Sequence, residues 1–418
     1  MRFTRQDEDF RAEVRDWLNA NLAGEFATLR GAGGPGREHE RPGERLAWHR
    51  HLAAAGWTCL GWPAEHGGRG ATLAQQVIFH EEYARAGAPA RVSIVGEELL
   101  GPTLIAFGTP EQKKRFLPPI KAVTERWCQG YSEPGAGSDL ASVSTKATLD
   151  EDQWVVTGQK VWTSGAHEAG WCFVLARTEP GSSRGQGLSY LLVPMGQSEV
   201  TVRPIRQLTG TSEFNEVFFD GARTAAENVV GEPGDGWRIA KATLAIERGA
   251  AMLGQQVGFR RELDDLISLA RRTGAGQDPL LRDKLARAWI GLEVIRDYAL
   301  DTLDGDEPES PAEASVLKIL WSRWHQGLGE LAMDVLGAPS VMGSAAPGGR
   351  LCPPPGGIHP PGPPWQTPPE GDDPYDRWQQ LFLFSRADTI YGGSDEIQRN
   401  IIASRILPRH DQPGEARP

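Results

Sequence analysis

Thr389-Ile390-Tyr391-Gly392-Gly393-Ser394-Asp395-Glu396-Ile397-Gln398-Arg399-Asn400-Ile401-Ile402 carries more local instruction than any other stretch of the chain. An aromatic residue leads into two glycines, whose missing Cβ atoms permit a positive φ or a close approach of backbone to a ligand. Ser394 then reads as an N-cap, with Asp395 and Glu396 in the first turn, where the helix dipole favours acids. Ile397, Ile401 and Ile402 follow at helical spacing, and Pro408 stops the helix after Leu407. The stretch serves either as a plain helix entry or as a glycine step that presents backbone to a ligand.

Outward from it, residues 237–272, 280–303, 311–336 and 375–391 keep the helical period and are long enough to pack as a bundle. Residues 345–374, dominated by Pro and Gly, predict an exposed loop with polyproline II character. Disorder is the compositional default there, and a lid or partner contact is the alternative. Further upstream the pattern changes. Short strand-like runs at 153–156, 159–163, 171–177, 188–193, 200–205 and 214–219 predict a compact antiparallel barrel or sandwich.

Before these strands the chain reads as all-helical. Phe10, Val14, Trp17, Leu18 and Leu22 share one helical face; helical patterns recur at 46–55, 73–86 and 101–107, then in a short helix ending at Pro118-Pro119. Residues 23–43 and 56–68 read as loops. The expected organisation is α+β: an N-terminal helical domain (1–126), a middle β domain (127–235) and a C-terminal four-helix bundle (236–418).

The 418 residues suffice for two or three domains, and a net charge of −11 argues against nucleic acid, which needs a basic face. The N-terminus lacks an apolar signal core and no apolar run reaches membrane-spanning length, so a cytoplasmic protein with no membrane span is expected. Cys59, Cys128, Cys172 and Cys352 stand singly, without the paired spacing of a zinc site or a disulfide framework.

Three stretches could carry chemistry. Gly130-Tyr131-Ser132-Glu133-Pro134-Gly135-Ala136-Gly137-Ser138-Asp139 lies where helices give way to strands; its turn frees backbone N–H groups, and Ser132 and Ser138 add hydroxyls suited to phosphate or heterocycle carbonyls. It could equally be only a turn. Thr157-Gly158-Gln159-Lys160-Val161-Trp162-Thr163-Ser164-Gly165 reads as a hairpin whose second strand offers an aromatic face and two hydroxyls, either core or a stacking surface for a flat redox cofactor. Glu247 lies on a segment that is apolar or small nearly all round, on a seam with Ala240, Leu244, Ala251 and Gly254. A helix Glu is ordinarily solvated. A desolvated one has its pKa raised and suits proton abstraction near neutral pH.

Taken in order, these stretches resemble the acyl-CoA dehydrogenase family. The resemblance runs from Gly56-Trp57 to Gly67-Gly68-Arg69-Gly70, through Phe107-Gly108-Thr109-Pro110-Glu111-Gln112-Lys113, the Tyr131 to Asp139 turn and Lys160-Val161-Trp162, to Tyr391 through Asn400. It implies an FAD enzyme that oxidises an acyl-CoA, or an acyl-carrier-protein thioester, to the trans-2-enoyl thioester and passes electrons to an electron-transfer flavoprotein. By resemblance, Ser132 with Tyr131 and Ser138 with Gly137 face the flavin ring and the phosphates, Trp162 flanks the flavin and Ser164 bonds near its N5 edge. Ser394 and Glu396 hold the adenosine end. Ser138, Arg248, Tyr391 and Gly392 fall on the substrate side. Family members work as tetramers whose FAD sites a neighbouring subunit completes.

The departures from the family pattern are informative. Where many members carry the catalytic Glu after the tyrosine, this chain has Gly392; a subset carries the base on the first bundle helix, the place of Glu247-Arg248. Gly392 keeps a backbone N–H for the thioester carbonyl. The usual Arg-x-x-Phe-Gly segment is only loosely matched around Arg271, and the usual Gln-x-x-Gly-Gly-x-Gly segment appears as Asp334-Val335-Leu336-Gly337-Ala338-Pro339-Ser340. Arg271 and Gly337 are therefore expected FAD contacts in a homo-tetramer or homodimer, or in a heteromer whose second chain supplies what is eroded. An oxygen-using oxidase or hydroxylase of the same fold is the remaining alternative.

Overall fold

The computed structural model describes residues 3–34, 36–246, 251–303, 311–341 and 374–407. They form two compact units, one built mainly from residues 3–257 and the other from 258–340 with 381–407.

The first unit opens with α1 (Arg5–Asn21), α2 (Pro42–Ala54), α3 (Leu73–Arg85), α4 (Gly101–Phe107) and α5 (Pro110–Lys121). Thr4, Thr72 and Thr109 each close a capping box on α1, α3 and α5, satisfying end donors that would otherwise be lost. Phe10, Val14 and Leu18 of α1 bury against Trp48, Leu52, Ile78 and Phe79. The helix expected to end at Pro118-Pro119 instead runs through both prolines to Lys121. The missing donors fall in its last turns, and burial of Phe116, Leu117 and Ile120 favours the continuation. Residues Val95–Leu100 form a π-helical turn that sequence periodicity did not announce; it buries Glu97 against His49, Arg91 and the Cys59 amide.

Eight strands follow: β1 (Trp127–Gly130), β2 (Lys146–Asp150), β3 (Gln153–Ser164), β4 (Trp171–Arg177), β5 (Leu188–Pro194), β6 (Val200–Ile205), β7 (Phe214–Ala225) and β8 (Val229–Val230). They make one sheet in the order β6-β7-β3-β2-β4-β5-β8, with β1 pairing β4. Pairing is antiparallel except for β1 and β2 on β4. The central strand β4 is apolar from Trp171 to Ala176 because both faces are covered. Cys172, Val174 and Ala176 enter one core with Val156, Leu191 and Val217; Phe173 and Leu175 enter the other with Leu104, Tyr131 and Tyr190. That second core also takes Ile239 and Ala240 of α6 (Gly236–Ile246) and so joins helices to sheet.

The hairpin expected at 157–165 is absent. Residues 153–164 are one twelve-residue strand, β3, paired with β7 along its length and displaced by irregularities at Val156/Thr157 and Lys160/Thr163. Gly158 is required for contact rather than turning: a Cβ there would lie 2.7 Å from the Thr145 Cα. The actual hairpin joins β2 to β3 at Asp150 and Gln153, with Glu151 in the left-handed region at φ 55°.

The second unit holds the later turns of α7 (Ala251–Thr273), with α8 (Pro279–Leu303), α9 (Pro311–Leu336), the end of α10 (Pro374–Phe384) and α11 (Asp395–Ile406). The single helix expected over 237–272 appears as α6 and α7, flanking residues outside the described set. The helix expected to reach Tyr391 ends at Phe384 and tightens into a 3-10 turn at Ser385–Ala387. Ser385 Oγ and Arg386 Nε both donate to the Phe382 carbonyl there, and the tightening turns Asp388 inward to His325. On α11 the fully covered side chains are polar, Asp395 and Gln398, while Ile397, Ile401 and Ile402 stay half-covered and Ile406 is exposed. The Pro-rich loop expected over 345–374 lies outside the described residues up to 373, as do Cys352 and Pro408.

Lys160 locks the sheet. Its side chain is fully buried, and Nζ donates to Glu133 Oε1 (2.9 Å), the Tyr131 carbonyl (2.9 Å) and the Leu175 carbonyl (2.8 Å). Removing one member of a buried pair strands the other's charge at a cost of about 3–5 kcal/mol. Lys160→Met is expected to lower the urea midpoint of this unit by a corresponding amount. A change below about 1 kcal/mol would show that the pair is dispensable.

Candidate functional site

The 130–139 turn closes by reciprocal backbone bonds, Glu133 N–H to the Ala136 carbonyl (3.1 Å) and Ala136 N–H to the Glu133 carbonyl (3.0 Å). Glu133 points inward. Its carboxylate accepts from the Ser144 N–H and hydroxyl (2.7 Å each) and the Thr145 N–H (2.8 Å) besides Lys160. Burial alone would raise this carboxyl, but the Lys160 charge and these bonds outweigh it and hold it at about 2. With Glu133 committed inward, Gly135, Gly137 and Ser138 face outward, and an added Cβ at either glycine would meet nothing within 4 Å. Ser132 ties the turn to β3 by accepting from the Val161 N–H at 2.9 Å.

Next to that tie stands Trp162. It sits at the second irregularity of β3, in the left-handed region at φ 60°, with 57% of its surface exposed. A left-handed backbone is unusual for a bulky residue, and exposure of an indole forfeits the burial that would offset the strain. The Phe214 ring packs edge-on at 6.1 Å. Ser164 is exposed two residues on, and between them the buried Thr163 hydroxyl has no hydrogen-bond partner among the described residues. Tyr131 lies beneath in the core, edge-on to Phe173 and Tyr190. An exposed indole beside an open glycine and serine turn fits a flat, phosphate-bearing aromatic group, so the residues expected to hold FAD on this unit suit that cofactor.

The second unit carries the rest of the expected set. Gly392 and Gly393 both adopt positive φ, 63° and 88°, and Ser394 caps α11 by accepting from the Ile397 N–H. Gly392 is exposed, and its N–H bonds to no group among the described residues. Tyr391 is 38% exposed. Glu396 lies on the surface of α11, paired with Arg399. Gly337 ends α9 at φ 65°, its N–H donating to the Met333 carbonyl. Arg271 lines a groove with Arg282, Trp289 and Ile290. Glu247 and Arg248 lie outside the described residues; the helix before them, α6, buries Ile239, Ala240 and Thr243 completely.

Sequence reading missed a charged cluster beneath Tyr391. His325 bridges Asp388 (Nδ1 to Oδ2, 2.6 Å) and Glu262 (Nε2 to Oε2, 3.1 Å), with the Phe259 ring centred 4.6 Å away. Asp388 Oδ1 accepts from the Tyr391 hydroxyl at 2.8 Å. These residues are far apart in sequence, and helical spacing gives no sign that they converge.

Models of the acyl-CoA dehydrogenase N-terminal, middle and C-terminal domains match residues 4–123, 128–222 and 234–407. The chain belongs to the acyl-CoA dehydrogenase family. It is 62% identical over 400 residues to acyl-CoA dehydrogenase IpdE1 of Mycobacterium tuberculosis, covering 96% of this chain and 97% of that protein. Acyl-CoA dehydrogenase FadE26 of the same organism is 32% identical, with 97% of each covered. Among solved structures, the Tcur3481-Tcur3483 steroid ACAD superposes at TM-score 0.78 with 29% identity, covering 96% of this chain and 97% of that one. The ChsE4-ChsE5 complex from Mycobacterium tuberculosis superposes at 0.74 with 28% identity, covering 98% and 99%. This acyl-CoA dehydrogenase is thus an FAD-dependent oxidoreductase acting on CH–CH groups. No helix among the described residues is long and apolar enough to cross a membrane.

The buried histidine makes stability depend on pH. Burial opposes its charge, but Glu262 and the hydrogen bonds to Asp388 and Glu262 prevail and raise His325 from its ordinary 6.5 to about 10. The folded state therefore binds the proton more tightly, so the stabilisation is complete below 6.5 and lost as pH rises through about 10. The melting-temperature gap between wild type and His325→Gln is expected to be widest near pH 6 and to narrow towards pH 10. A gap independent of pH would contradict the ion pairing.

Proposed function

We propose that this dehydrogenase converts an acyl-CoA to its trans-2-enoyl thioester, with Glu247 as the base. The observation that carries the reading is Gly392, an exposed glycine at φ 63° whose N–H bonds to no group among the described residues, where many family members bear the catalytic Glu. With no carboxylate there, Glu247, next in sequence after α6, is the residue that takes the α-proton. The Gly392 N–H donates to the thioester carbonyl and stabilises the negative charge that develops as the proton leaves, a contribution of the oxyanion-hole kind. Tyr391 borders the acyl group, and Arg248 and Ser138 contact the substrate.

FAD, when bound, supplies flavin N5 as acceptor for the hydride of the β-carbon. Ser132, Gly137 and Ser138 would hold the flavin side from the turn, with Tyr131 packed beneath it, while Trp162 would flank the ring and Ser164 would bond at its edge. Arg271, Gly337, Ser394 and Glu396 serve the nucleotide end. An electron-transfer flavoprotein is the expected electron acceptor.

Glu247→Gln is expected to retain FAD while slowing anaerobic flavin bleaching by about 10²- to 10⁴-fold, the usual worth of a positioned base. Near-normal bleaching would remove Glu247 from the role.

A second reading concerns assembly. Two of the structural neighbours are complexes of paired chains, and one is named a steroid ACAD, which favours a heteromer acting on a polycyclic acyl-CoA. On this chain α8 exposes Trp289, Ile290 and Val294 in one stripe, beside the Arg271 groove, a face that a companion subunit would cover. Purified alone, the chain is expected to hold clearly less than one FAD and to gain it with a second acyl-CoA dehydrogenase-like chain. Full flavin occupancy in the isolated chain would contradict this.

A further inference from the structure

Two adjacent glycines at positive φ sit in a turn that one backbone bond closes at its ends, Asp395 N–H to the Thr389 carbonyl at 3.1 Å, leaving the Gly-Gly step itself to be held by side chains. A donor useful in a transition state must nevertheless be held close to its working position, because misplacement by an ångström costs orders of magnitude in rate. The second unit supplies three restraints on this turn. From behind, the buried Gln398 donates from Nε2 to the Gly392 carbonyl at 2.9 Å and the Gly393 carbonyl at 3.2 Å. From below, Lys318 of α9 places Cε 3.4 Å from where a Gly392 Cβ would stand and gives its ammonium to the Asp388 carbonyl. That ammonium also lies 4.3 Å from the Trp321 ring centre and 4.9 Å from that of Tyr391. From the side, Asp388 accepts from the Tyr391 hydroxyl while His325 holds its other carboxylate oxygen.

We propose that Asp388 is a positioning residue for the reaction. Its carboxylate fixes the Tyr391 phenol and its carbonyl fixes Lys318, so the Gly392 N–H is aimed from beneath by a network anchored in the bundle.

The inference rests on the reading of Gly392 as the thioester donor. The arrangement is costly for packing alone: His325 and Lys318 from α9 and Asp388 are charged side chains withdrawn from water, with Glu262 of α7 half-buried beside them, and apolar residues of similar volume often serve stability as well. The network has a direction. It starts in the buried His325, paired with the half-buried Glu262, and ends on Tyr391 and Gly392, both exposed, at the turn where the substrate carbonyl is read. Asp388 touches no reacting atom in this scheme and acts through Tyr391 and Gly392.

The test uses the full-length, FAD-loaded enzyme, with its companion chain where flavin binding requires one, and the acyl-CoA that bleaches wild-type flavin fastest among short, long, branched and polycyclic acyl-CoAs. Tyr391→Phe removes a single hydroxyl from a half-exposed ring and leaves the buried charges intact, so it tests the network even if Asp388→Asn fails to fold. Tyr391→Phe is expected to lower kcat about tenfold with KM little changed, the signature of an interaction realised in the transition state. Asp388→Asn, where folded, should do the same. Hydrogen exchange at 386–394 should quicken in Tyr391→Phe while the melting temperature stays within a degree or two of wild type. Wild-type kcat in Tyr391→Phe, a change confined to KM, or unaltered exchange at the turn would each overturn the proposal. A wild type that bleaches with no acyl-CoA would instead sink the dehydrogenase reading, and this inference with it.

Discussion

The buried Lys160 and Glu133 pair is the constraint on which the turn and strand proposed to hold the cofactor depend. Lysine in a core is tolerated only where every donor finds an acceptor, and Nζ finds three, two of them on the turn after β1 and one on β4. Because Glu133 is drawn inward, the glycines and Ser138 of the same turn have only the outward side left. Because Lys160 points in and β3 is displaced just beyond it, Trp162 comes out exposed and strained. Two features that sequence reading treats as separate motifs are thus two faces of one electrostatic fastening.

Much of the fold was legible. Short runs of strand-like composition located β4 and β6 to the residue, because those strands are bounded by turn residues. The helical period located α1, α3, α4, α8 and α9 closely, since each covers an apolar face. Errors arose where one residue type has two uses. Gly158 was read as a turn and is a close contact; Pro118 and Pro119 were read as a stop and sit inside a last turn that burial of Ile120 maintains. β1, β2 and β8 were missed because each is short and borrows its stability from longer neighbours.

The site was legible in part, and the division has a physical reason. Ser132, Gly137, Ser138, Trp162 and Gly392 stand in local patterns whose chemistry can be read from adjacent residues. His325, Asp388, Glu262, Lys318 and Gln398 cannot be read that way. Each is an ordinary surface residue type, on a helix or, for Asp388, in the turn after one, and only tertiary packing reveals its partners. Ile397, Ile401 and Ile402 drew attention as the expected inner face of α11, while the residues that α11 covers most fully are Asp395, bonded to Arg323, and Gln398. Polar residues doing a core's task leave no periodic signal.

At Gly392 the same stretch gives up a side-chain carboxylate and retains a backbone donor, and the surrounding charges are arranged to hold that donor still. Family membership fixes the class of chemistry, and the acyl group is what remains to be read from the molecule itself. The most direct measurement is anaerobic titration of the flavin-loaded enzyme with short, long, branched and polycyclic acyl-CoAs. Stoichiometric bleaching by at least one of them, with the enoyl-CoA as product and strongest for a polycyclic acyl group, is the result this account predicts. Flavin that stays oxidised against the whole panel would contradict it.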